Sequence, residues 1–127
     1  MPIEVVFFRP EHAAKDPFTK EYKSTVRRFV AGLEEIVHVP MKVKIDVLPS
    51  MVFPDEKNTF AVGYCHHDPK PIVVKVAGHP DIPFEHVADT ICHEIVHVEQ
   101  VRDGREVTER GVKVRARNLV RKVMERM

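Results

Sequence analysis

His93-Glu94-Ile95-Val96-His97 places two imidazoles and a carboxylate within five residues. On a helix, residues four apart share a face, so His93 and His97 would aim their rings at one point. Two neutral imidazoles suit zinc, and Glu94 can reach a water held by the same ion. One short segment thus proposes metal, nucleophile and general base together. In a chain of this composition such a match arises by chance in about one case in twenty. The surrounding sequence therefore has to carry the reading.

Other residues with chemical potential are less convincing. His66-His67 falls in a predicted turn and reads as solvated. His86 is on the same helical face as His93 but two turns away, about 10.5 Å along the axis, too far to share an ion. Tyr22 and Tyr64 could donate to an oxyanion, yet both read as structural. Cys65 and Cys92 do not form the pattern of a secreted disulfide framework, and Cys92 is expected to be a small buried hydrophobe. Lys113 to Arg126 is most simply a solvated basic helix face.

The 127 residues suit one domain, 1–127, with a single modest core. Lysine plus arginine (20) nearly balance aspartate plus glutamate (19), which gives no bulk attraction for nucleic acid. No apolar run reaches the ~20 residues of a membrane span. Met1-Pro2-Ile3-Glu4 lacks a basic leader pattern, and the expected location is cytoplasmic. A single glutamine, two asparagines and 10 prolines give the composition a thermophilic cast.

The elements that must position the motif follow from periodicity. Ile3 to Phe8 reads as a strand. Thr19 to about Val37 reads as a helix, with Tyr22, Val26, Phe29, Leu33 and Ile36 on one stripe. Met41 to Leu48 alternates, with Val43, Ile45 and Val47 inward and Lys42, Lys44 and Asp46 outward. Thr59 to Cys65 and Ile72 to Val76 read as two strands of a hairpin. A helix over Phe84 to Arg102 carries the motif, with one face buried and one turned to the metal. Gly104 sits just past its end, and a last helix is expected from about Arg105. The order β-α-β-β-β-α-α describes an α+β domain, a small mixed sheet packed against helices.

With uncharged residues flanking the motif, Thr90-Ile91-Cys92-His93-Glu94-Ile95-Val96-His97-Val98 resembles the extended signature of the zincin metallopeptidases. Glu99 departs from it, standing where that family usually has an apolar residue. The element order also resembles the zincin N-terminal subdomain, and the likeness is greatest to minimal, single-domain gluzincin-like members. That resemblance implies one Zn2+ ion, a peptide or protein substrate, and a downstream glutamate as third ligand. It also implies that one of the strands 59–65 or 72–76 forms the sheet edge above the motif helix, with Gly63 marking the rim.

Catalytic zinc needs that third protein ligand. Asp103 stands where the metzincin pattern has its third ligand, but Gln100 replaces that pattern's glycine. In an unbroken helix Asp103 would face away from the metal, about 600° round from His97. Glu106 and Glu109 lie on the segment expected to fold back along the motif helix. Glu109 is nearer the level of His97 and precedes the apolar stripe Val112, Ala116, Leu119 or Val120, and Val123. It is the preferred ligand, with Glu106 in reserve. Surface pairing of Glu109 with Arg105, Arg110 or Lys113 is the plain alternative.

These residues lead to an expectation of a zinc-dependent endopeptidase. Zinc on His93, His97 and Glu109 would activate a water, with Glu94 taking its proton and returning it to the leaving amine. The alternative is a zinc-binding zincin-fold regulatory or partner-binding protein in which the ion holds the last two helices together.

Overall fold

In the computed structural model the described residues are 3–9, 15–39, 42–49, 62–63, 72–78 and 81–127. Of the expected strand Thr59 to Cys65 only Val62–Gly63 falls within them, and Tyr64, Cys65 and His66-His67 lie outside. Ile3–Phe7 (β1) runs into Lys20–Ile36 (α1) and then Val43–Pro49 (β2), followed by Val62–Gly63 (β3) and Ile72–Gly78 (β4). Phe84–Arg102 (α2) and Val112–Arg126 (α3) complete the chain. The element order and the mixed α+β class are those read from the sequence.

β1, β2 and β4 pair in parallel, and β3 lies antiparallel at the β4 edge, giving the order β1-β2-β4-β3. Register stacks the inward residues in three rows: Ile3, Val43 and Ile72; Val5, Ile45 and Val74; Phe7, Val47 and Val76. β-branched side chains fill this pleated face closely. α1 covers it with Val26, Phe29, Val30 and Leu33, capped at its start by the Thr19 hydroxyl, which accepts from the Tyr22 N–H. Phe29 meets Phe84 of α2 edge-on, with centroids 5.6 Å apart.

Two features of the packing differ from the periodicity. Asp46, expected to face solvent, is buried. It belongs to β2, which has a neighbour on either side, and the Lys44 ammonium two residues away lies 3.4 Å from its carboxylate. α2, expected to bury one face, is buried almost all round from Ile91 to Gln100. The helix contacts β4, β3 and α3, so that Glu94, His97, Glu99 and Gln100 are buried along with its apolar residues.

α3 buries Val112, Ala116, Leu119 and Val123 and exposes Lys113, Arg117, Arg121 and Lys122. Glu99, the departure from the zincin pattern, is explained by α3. Its buried carboxylate takes two bonds from the Arg115 guanidinium, at 3.2 and 2.9 Å, and so ties the two helices together.

Candidate metal centre

His93 and His97 stand one turn apart on α2, their rings in an edge-on arrangement with centroids 5.1 Å apart. Glu109 reaches them from the stretch between α2 and α3. One of its carboxylate oxygens lies 3.0 Å from His93 Nε2 and the other 3.1 Å from His97 Nε2. One donor atom from each residue falls within 4.8 Å of the other two. His97 is buried, His93 half-buried and Glu109 exposed.

The start of α3 corrects the sequence expectation. The helix begins at Val112, not near Arg105, and Glu109 precedes it. In a continuous helix the Thr108 N–H would bond the carbonyl of Gly104. Instead the Gln100 side chain takes both backbone polar groups of Thr108: its amide donates to the Thr108 carbonyl at 3.0 Å, and its oxygen accepts from the Thr108 N–H at 3.2 Å. Left-handed Gly104 (φ 68°) and Gly111 (φ 74°) turn the chain at either end of this stretch, conformations that cost glycine little. Glu109 is therefore delivered by a loop, not by helical register.

The other proposed donors are elsewhere. Asp103 closes α2 and pairs with Arg102 at 2.9 Å and Arg105 at 3.2 Å, which hold its carboxyl below the usual range. Glu106 is exposed and is not part of the cluster. His86 is exposed on the first turns of α2, where its carbonyl accepts from the Thr90 hydroxyl. Tyr22 packs against Phe7 and Phe18. Cys92 is fully buried, and burial pushes its thiol well above the ordinary value.

Gln100 is the residue that sequence reasoning passed over. Its oxygen also lies 2.9 Å from His97 Nδ1. Position i+3 from His97 was the available signal, since that spacing shares a helix face. Because the same oxygen accepts from Thr108, His97 Nδ1 must carry the hydrogen that points at it. In the neutral ring, Nε2 then holds a lone pair facing a carboxylate oxygen 3.1 Å away. Two electron-rich atoms at that distance need a positive charge between them, a shared proton or a metal cation.

Glu94 adds a second carboxyl. It is fully buried, and neither oxygen has a hydrogen-bond partner among the described residues. Burial, with the Glu109 carboxylate as a smaller cause, pushes it up to about 8. The two imidazoles and the Glu109 carboxylate, with donor atoms within 4.8 Å of one another, are a set that a divalent cation would satisfy.

No family model, curated protein or solved structure matches the chain.

Proposed function

We propose that this protein is a small zinc-dependent endopeptidase of zincin type, with His93, His97 and Glu109 holding the ion. The observation that carries the reading is the His97 Nε2 lone pair set against a Glu109 oxygen, with the second oxygen on His93. When bound, zinc supplies Lewis acidity, polarising a carbonyl and acidifying water. The chain's own residues do the rest. Glu94, beside His93 and free of competing hydrogen bonds among the described residues, accepts a proton on its carboxylate from the attacking water. It then returns the proton to the amine that leaves. The edge position of β3 next to α2 supports an extended substrate adding to the sheet there.

The test is zinc content together with cleavage of casein by the wild type and Glu94→Gln. Both forms should bind one zinc per chain, and only the wild type should cleave. Wild-type protein that binds zinc and cuts neither casein nor itself would instead indicate a structural clasp between α2 and the loop ahead of α3. Protein that takes up no zinc would end both readings.

A further inference from the structure

Gln100 is outside the donor set, and yet it bonds His97 directly and the backbone of Thr108, the residue before Glu109. We propose that Gln100 is the positioning residue of the centre, presenting the His97 Nε2 lone pair and the Glu109 carboxylate as a single unit. The inference rests on reading His93, His97 and Glu109 as a metal site, and it says how this chain keeps that site assembled.

Its side chain is buried, with the residue 4% exposed, and makes three hydrogen bonds. Oε1 accepts from His97 Nδ1 and from the Thr108 N–H; Nε2 donates to the Thr108 carbonyl. This pattern fixes the amide. If it were flipped, the NH2 would face the Thr108 N–H and the oxygen would face the Thr108 carbonyl. The fixed oxygen, in turn, fixes the His97 tautomer, so that Nε2 carries the lone pair. Thr108 is the residue before Glu109, so the same amide sets where the carboxylate begins. Gln100 also uses its backbone: its carbonyl accepts from the Arg105 N–H at 2.8 Å. Both ends of the 105–109 segment are thus tied to one residue of α2.

Burial cannot do this work, since residues 103–111 are exposed throughout. A loop that carries a ligand and has no core of its own depends on directed hydrogen bonds for its position.

Two full-length variants separate the functions. Gln100→Met keeps the length and removes all three bonds. Gln100→Glu keeps an acceptor for His97 and for the Thr108 N–H but sets a carboxylate oxygen against the Thr108 carbonyl. The readouts are the His97 ring-nitrogen shifts in metal-free protein, above the imidazole titration, and zinc affinity by competition with a chelator. Wild type should show hydrogen on Nδ1. Gln100→Met should show mixed tautomers and bind zinc about 10–100-fold more weakly, the range for lost outer-shell partners. Gln100→Glu should keep hydrogen on Nδ1 while the Thr108 and Glu109 amide signals move and zinc affinity falls about tenfold.

A Gln100→Met protein with the wild-type tautomer and zinc affinity within twofold would overturn the proposal. Should that variant fail to fold, Gln100→Glu decides: unmoved Thr108 signals with unchanged affinity would refute it. If wild type binds no zinc, the peptidase reading falls, while the tautomer comparison still shows whether Gln100 sets the His97 hydrogen.

Discussion

Glu109 gives one oxygen to each imidazole although its side chain is 64% exposed. An exposed carboxylate with arginines and lysines nearby in sequence would ordinarily pair weakly with one of them. Here both oxygens instead face imidazole nitrogens. The consequence separates it from its neighbours. Glu109→Ala should weaken zinc binding by more than the roughly 10–100-fold expected for loss of an outer-shell partner. Glu106→Ala and Asp103→Ala should stay within about twofold of wild type, because neither joins the cluster. Chelator competition on the three variants checks this, and equal losses for Glu106 and Glu109 would remove Glu109 from the site.

At the scale of elements, the Tyr22 hydroxyl on α1 is buried with no hydrogen-bond partner among the described residues, and burial raises its phenol above the ordinary value. The folded state therefore holds that proton more tightly than the unfolded chain does. Its contribution is complete below the ordinary tyrosine value of about 10 and is lost as pH rises from there through the folded value. Tyr22→Phe should fold with equal or slightly greater stability near neutrality, by up to about 1 kcal/mol, since an unpaired hydroxyl is removed. It should also lose the alkaline decline. Urea melts at about pH 8 and pH 11 would show this, and a variant with an unchanged alkaline limb would contradict it.

The elements differed in how far the sequence revealed them. Phe84–Arg102 was legible residue for residue, because apolar periodicity and Gly104 mark its limits. α1 was equally clear from its stripe and Thr19. Asp46 was misplaced because alternation gives the face of a strand but not what covers that face. The start of α3 was missed for a related reason: Thr108 is claimed by a side chain eight positions earlier, a tertiary hydrogen bond that local propensity cannot register. Glu109 could be proposed from its level along α2, whereas the loop that presents it, and Gln100 beneath, needed three dimensions.

For the whole molecule, the cluster joins α2 to the loop that leads into α3, so an ion bound only by the folded chain must stabilise it. Zinc at a hundred times its dissociation constant would add about 2.7 kcal/mol. For a chain of this size that corresponds to a melting shift on the order of 10 °C. A thermal melt with zinc and then with excess chelator should show the rise and its reversal, and Glu109→Ala should show little of either. A wild-type melting point indifferent to both would count against any resident metal.

The sheet and the cluster also differ in how far the chain must travel to make them. Ile3 finds Val43, and Val43 finds Ile72, across long intervening segments. Glu109 is only 12 positions from His97. Loop closure and topology make the parallel pairing the slow search in folding, while the α2 turn and its loop can come together locally. The time this chain takes to fold is then set by strands that contribute no donor atom. The cluster is assembled by the segment that has least distance to cover.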